Sequence, residues 1–122
     1  MITDIEPGRW LTDAARRFGA SPALIAADTV ITYREYQQLV QETAARLRRA
    51  GLECGARLAI VAPNCLEYVI LLMACRQLGA VAVPVSTRWP VKLTADCLRD
   101  IGCSRVVRPD DFPESGSIDE IS

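Results

Sequence analysis

The stretch LAIVAPNCLEYVILLMACRQLGAVAVPV, residues 58–85, decides the fold. Leu58 to Ala62 is an unbroken apolar run of strand length ended by Pro63, the pattern of a strand covered on both faces. From Asn64 to Leu78 the period changes: Leu66, Val69, Ile70, Met73, Ala74 and Gln77 fall at helical intervals, and Gly79 supplies the stop. Ala80 to Val85 is a second apolar run. A strand, a helix and a second buried strand in this order make a right-handed crossover between parallel neighbours.

The same grammar extends downstream. Pro90 suits the first position of a helix whose buried face is Val91, Ala95, Leu98 and Ile101, with Gly102 ending it. Ser104 to Val107 follows as a third strand. Upstream, Thr32 and Glu35 have the spacing of a capping box and open a helix over residues 33–50. Its apolar face is Leu39, Val40, Thr43, Ala44 and Leu47. Glu42 stands four residues before Arg46, and Arg46, Arg48 and Arg49 lie at the negative end of the helix dipole. Before it, Ala23–Ala26 and Val30–Thr32 read as a hairpin broken at Ala27 and Asp28. Trp10, Leu11, Ala14, Ala15 and Phe18 form the stripe of a first helix near residues 9–18, with Gly19 placed as its C-terminal cap. The expected class is α/β: a parallel sheet with helices on both faces.

Composition sets the outer bounds. Of 122 residues, 50% are hydrophobic, and 14 basic side chains meet 15 acidic ones, the proportions of one globular domain. A net charge of −1, with Lys92 the only lysine, gives no polybasic segment for nucleic acid or an anionic membrane. One basic and five acidic side chains fall in residues 108–122, leaving 13 against 10, a net of +3, in residues 1–107. That last stretch holds Pro109, Pro113 and Gly116 without apolar periodicity and reads as an acidic linker or tail. No window approaches the roughly 18–20 apolar residues of a membrane span, and Asp4 and Glu6 stand where a signal peptide is basic, so a cytoplasmic setting is expected. Five cysteines (54, 65, 75, 97 and 103) without a Cys-x-x-Cys pair are expected as buried, reduced thiols.

The chemical inventory is short. With no histidine, Ser-His and Cys-His nucleophile pairs are excluded along with most zinc sites. None of the seven glycines forms a dinucleotide fingerprint or a phosphate loop. No catalytic residue and no metal ligand is assigned: Asp110 and Asp111 are adjacent, so their carboxylates diverge, and they belong to the acidic tail. Cys65 at a helix start is open to a dipole-lowered pKa, though it lacks a basic partner. Ligands of open parallel sheets gather beyond the carboxyl ends of strands, where Asn64 and Ser86-Thr87-Arg88-Trp89 fall. Arg88 can grip a carboxylate or phosphate with its planar fork beside Trp89, or latch its own loop to backbone carbonyls. Asn64 is either a ligand contact or the N-cap of the helix that follows.

Taken in order, these segments resemble the opening of the adenylate-forming superfamily, which holds acyl- and aryl-CoA ligases, peptide-synthetase adenylation domains and luciferases. The "Thr-Tyr" helix is matched by Thr32 and Tyr33. The "Gly-x-x-x-Gly-Asp-Arg-Val-Ala" turn and strand is matched by Gly51 to Ala59, with Ala56 for the aspartate. The "Asn-Ser-x-Glu" helix is matched by Asn64 to Glu67, with Cys65 for the serine, and "Gly-Ala-x-x-x-Pro-x-x-x-Arg" by Gly79, Ala80, Pro84 and Arg88. The likeness covers residues 10–108, and Val85 to Pro90 look most like the o-succinylbenzoate-CoA ligase branch of menaquinone synthesis.

The resemblance implies a partial sheet belonging to a larger ligase fold, with residues 1–107 as its N-terminal α/β subdomain and 108–122 as linker. It implies ATP, Mg2+ and coenzyme A as cofactors of a parent enzyme acting on a small carboxylic acid. None of these is expected to bind this chain alone, since the family's phosphate loop and catalytic lysine lie downstream of the matched region. Lys92 is not that lysine. The expected partners are the remainder of the ligase and a second copy in a homo-dimer; Arg88 and Asn64 are the candidate substrate-binding residues. The competing expectation is a stand-alone α/β module that binds a small ligand or a protein without chemistry.

Overall fold

The computed structural model describes residues 9–103 and 105–108, and the backbone of residues 119–120. At its centre is β3 (Arg57–Val61), flanked in parallel by β4 (Val81–Val85) and β5 (Arg105–Val107). The sheet runs β4-β3-β5-β6, where β6 (Asp119–Glu120) pairs antiparallel with Arg105 and Val106. Ser104, expected to open β5, lies outside the described residues, as do residues 109–118 and 121–122 of the expected acidic linker.

The unbroken apolar run of β3 has the expected cause. Leu58 and Ile60 pack with Val40, Leu47, Leu71 and Ala74 in the larger core, and Ala59 packs with Val85, Leu98, Cys103 and Val106 in a smaller one. The chain steps from β3 out to β4 through α3 (Leu66–Leu78), then back past β3 to β5 through α4 (Val91–Asp100). Two right-handed crossovers taken in opposite directions must land on opposite faces. α3 accordingly shares one face with α2 (Tyr33–Arg49), while among the described residues α4 is the helix that covers the other. The hairpin of β1 (Pro22–Ala26) and β2 (Thr29–Thr32) and the helix α1 (Arg9–Phe18) complete the α2 side.

Local signals place α2 securely. The Glu35 N–H donates to Thr32 Oγ1 at 3.2 Å, and the Thr32 N–H donates to Glu35 Oε1 at 3.0 Å, closing the capping box. Gly79 and Gly102 take left-handed φ values of 74° and 72° where α3 and α4 end.

Several expectations shift. Pro90 is the N-cap of α4, because its ψ of 146° is extended, and the helix begins at Val91. Val91 and Ile101, expected in the core, are exposed: α4 outreaches the short sheet, and only Leu98 is buried. Gln77 points to solvent; Ala74 is buried as expected, and Leu71 and Cys75 are the other buried positions of α3. At the ends of α1, Trp10 and Phe18 are exposed, and Phe18 meets Tyr33 at 6.4 Å between ring centroids. Gly19 is not a left-handed cap. It provides room, since a Cβ there would stand 2.5 Å from the Arg34 guanidinium and 2.6 Å from the Ala15 carbonyl oxygen. Of the five free thiols, only Cys75 and Cys103 are buried; Cys54 is exposed, and Cys65 and Cys97 are half-buried.

Two arginines tie the layers together at the amino ends of the strands. Arg57 Nη1 donates to the Ile101 carbonyl at 2.6 Å, closing the end of α4. Arg105 Nη1 donates to the Ala50 carbonyl at 3.0 Å, closing the end of α2. A guanidinium at the negative end of a helix dipole is favoured electrostatically as well as by the hydrogen bond.

Candidate functional site

Parallel register brings the two expected ligand-facing loops to one edge. Val61 and Val85 are Cα partners, so the chain leaves β3 and β4 at the same level. Asn64 and Arg88 therefore both lie beyond the carboxyl ends of adjacent strands, and both are exposed. No hydrogen bond joins them.

The β4–α4 loop is short and tied to itself. The Arg88 N–H donates to Ser86 Oγ at 3.1 Å, and the Thr94 N–H donates to the Pro90 carbonyl at 3.0 Å as α4 begins. These bonds fix the backbone of Arg88 and leave its side chain unengaged. No carbonyl or carboxylate among the described residues accepts from its guanidinium, so the latch within its own loop does not form. Trp89, about half exposed, stands next to it in the chain.

Asn64 is not the N-cap of α3. The first helical bond runs from the Val69 N–H to the Cys65 carbonyl at 3.4 Å, which makes Cys65 the cap. Its thiol makes no capping hydrogen bond. Burial pushes the Cys65 thiol up, with the neighbouring Glu67 adding to the rise, so the group is protonated at neutral pH. That direction is opposite to the dipole-lowered pKa considered for this position. Burial also pushes Cys75 up, to about 11.

A concavity lies between α2 and α3, where Leu39, Ile70 and Leu71 meet Glu42, Arg46 and Glu67. It contains no set of groups suited to acid–base or nucleophilic work. Among the described residues no cluster of His, Cys, Asp or Glu could hold a metal, and no buried side-chain polar atom lacks a partner. Asp110 and Asp111 lie outside the described residues. What the carboxyl edge offers chemically is a guanidinium without a partner among the described residues and the amino ends of two helices, which favour an anion, with Trp89 exposed next to Arg88 in the chain. Arg57 and Arg105, which sequence reasoning missed, work at the opposite edge. Their only sequence signal is an arginine at the first position of a strand.

Comparison with known proteins agrees with this architecture. The family described as "AMP-binding enzyme" matches residues 11–121. The chain belongs to that family, the adenylate-forming ligases. A feruloyl-CoA synthase from an Amycolatopsis species is 34% identical over 108 residues, covering 88% of this chain and 22% of the relative. A solved long-chain-fatty-acid CoA ligase from Rhodopseudomonas palustris superposes with a TM-score of 0.81 at 28% identity, over 92% of this chain and 29% of that one. The o-succinylbenzoate coenzyme A synthetase of Bacillus subtilis, solved with AMP, gives 0.78 at 26% identity, over 88% of this chain and 28% of that one. The chain thus spans about a fifth of the length of the curated relatives it matches. No helix among the described residues is long and apolar enough to cross a membrane.

Proposed function

We propose that this chain is the N-terminal subdomain of an ATP-dependent acid–CoA ligase, and that alone it performs no chemistry. The observation that carries the reading is the family match over residues 11–121, in a chain spanning only about a fifth of its relatives. In the ligase reaction a substrate carboxylate oxygen attacks the α-phosphorus of ATP, and the bond to the departing pyrophosphate breaks. The thiol of coenzyme A then attacks the acyl carbonyl carbon and AMP leaves. Mg2+, when bound in the complete enzyme, would supply neutralisation of phosphate charge, and no cluster among the described residues of this chain would hold it. The residues of this chain contribute the carboxyl edge, where Arg88, with Asn64 at the end of the neighbouring strand, holds an anionic group of the substrate or of the downstream body. An aromatic acid is the proposed substrate class, with o-succinylbenzoate the specific candidate. The named activities of the feruloyl-CoA synthase and the o-succinylbenzoate synthetase support that class. A cytoplasmic setting and self-association of the isolated chain belong to the same proposal.

The test reads the coding frame past Ser122, expresses the encoded polypeptide and measures acid-dependent exchange of pyrophosphate into ATP. The expected result is exchange by the long polypeptide with o-succinylbenzoate or ferulate and none by residues 1–122. Exchange by the short chain, or a frame that closes at Ser122, would overturn the reading; the closed frame would favour a stand-alone binding module. In the long polypeptide Arg88→Ala should raise the Michaelis constant for the acid by about tenfold or more and leave that for ATP unchanged. An unchanged acid constant removes Arg88 from substrate binding.

A further inference from the structure

The two sides of the sheet are covered unequally. One carries α1, α2, α3 and the hairpin over the larger core; the other carries α4 over a core built around five buried residues. α4 also has more apolar surface than the sheet can take. Leu98 faces the strands and is buried. Leu93, Cys97 and Ile101, spaced four residues apart, stack as a separate ridge along the flank of the helix. Leu93 and Ile101 are each 46% exposed, and Cys97 is half-buried. Lys92, Asp96, Arg99 and Asp100 occupy the remaining face, where Arg99 and Asp96 pair at 2.6 Å. Val91, 82% exposed at the first position of the helix, and Trp89, 48% exposed just before it, add to the exposed apolar surface at the amino end.

The outer edge of β4, unpaired among the described residues, is a weaker candidate for contact. The Val81 N–H donates inward to the Ala56 carbonyl at 2.7 Å, so alternation turns Ala82 and Pro84 outward. Pro84 has no N–H to offer there, and an added strand would find a single outward donor on β4.

We infer that the Leu93–Cys97–Ile101 ridge is the surface on which the downstream body of the same polypeptide docks. This rests on the ligase reading, and it names the face that the body covers. A ridge of side chains four residues apart fits the groove of another helix, which makes a downstream helix the occupant. The relatives are several times longer than this chain and supply ample polypeptide to cover it. The other sheet face is already closed by helices of this chain.

Cysteine labelling tests the inference, because thiols sit at informative depths: Cys54 exposed, Cys97 in the ridge, Cys75 and Cys103 buried. The long polypeptide is treated with iodoacetamide and each site is quantified by peptide mass spectrometry at two protein concentrations about a hundredfold apart. Cys97 should label slowly, with Cys75 and Cys103 and on the order of tenfold or more below Cys54, at both concentrations. Labelling of Cys97 at a rate near that of Cys54 would overturn the inference, even in a polypeptide with full exchange activity, and would leave the ligase reading intact. Protection lost on dilution would overturn it in favour of a second copy as the occupant. Protection at both concentrations without exchange activity would support the docking face while the ligase reading fails. Leu93→Glu with Ile101→Glu provides the second measurement: Cys97 should become reactive while Cys75 and Cys103, as reporters of folding, stay protected. Continued protection of Cys97 in that variant would count against the ridge.

Discussion

Arg57 and Arg105 form a matched pair for asking what burial adds to a hydrogen bond. Each donates from Nη1 to a carbonyl at the end of a helix, Arg57 at 2.6 Å and Arg105 at 3.0 Å. Distance alone ranks Arg57 first. Arg57 is exposed, however, and once its side chain is cut back water reaches the Ile101 carbonyl at little cost. Arg105 is half-buried, and its guanidinium lies within 3.3 Å of where a Cβ on Gly51 would stand. Truncation there leaves an unpaired carbonyl and an unfilled space together.

A hydrogen bond from a charged donor contributes about 1.5–3 kcal/mol where the acceptor has no substitute, and well under about 1 kcal/mol where water provides one. Arg105→Met should therefore cost about 1.5–2 kcal/mol and Arg57→Met less than about 0.5 kcal/mol. With a urea dependence of about 2 kcal/mol per molar, the unfolding midpoints should fall by about 1 M and about 0.2 M. The assay is equilibrium urea unfolding of the 122-residue chain followed by far-ultraviolet circular dichroism, with Arg105→Lys as the intermediate case that keeps the charge and loses the fork. Equal losses for the two methionine variants, or a larger one for Arg57, would show that donor distance rather than burial sets the contribution and refute the reasoning.

Ala27 holds a φ of 52°, a left-handed value that costs a side-chain-bearing residue about 1 kcal/mol. Ala27→Gly should raise the urea midpoint, by an amount worth no more than about 1 kcal/mol because glycine also loosens the unfolded chain; a lower midpoint would contradict the strain. The Thr32 N–H and hydroxyl hold the Glu35 carboxyl below its ordinary value of 4.5. Its stabilising contribution should be complete above that pH and vanish as pH falls through the lowered value; a gap between the chain and Glu35→Gln that persists unchanged to pH 3 would refute this. Pro84→Ala restores an outward N–H on β4 and should increase self-association in sedimentation velocity, whereas an unchanged distribution would mean that Pro84 does not guard the edge.

What the sequence made legible is what depends on neighbours within a turn or two. Thr32 and Glu35 are three residues apart, and their reciprocal bonds form as the spacing requires. The switch from a continuous apolar run to helical periodicity located β3 and α3 within a residue or two, because burial on both faces leaves no room for polar alternation. The adenylate-forming likeness was carried by the order of these same segments. Illegible features depend on what lies opposite. Periodicity marks Val91 and Ile101 as apolar without revealing that α4 runs past the sheet. Arg57 reaches a carbonyl 44 residues away and Arg105 one 55 residues away, distances over which spacing carries no information. Cys65 rather than Asn64 became the cap because the carbonyl that accepts the first helical bond, not the better capping side chain, defines the position.

The same residue type meets opposite conditions at the two ends of this sheet, and polarity explains why. In a crossover each helix runs back against its strands, so helices finish at the amino edge and begin at the carboxyl edge. The amino edge is therefore rich in terminal carbonyls, acceptors at the negative ends of helix dipoles, and Arg57 and Arg105 find partners there. The carboxyl edge presents the first N–H groups of α3 and α4, which are donors, and among the described residues the Arg88 guanidinium finds no acceptor there. Arg88 is stranded by the topology. Its guanidinium adds to the positive ends of two helices instead of neutralising a negative one, and an anion is the kind of group that complements all three, which is why the proposed role of Arg88 is to hold one.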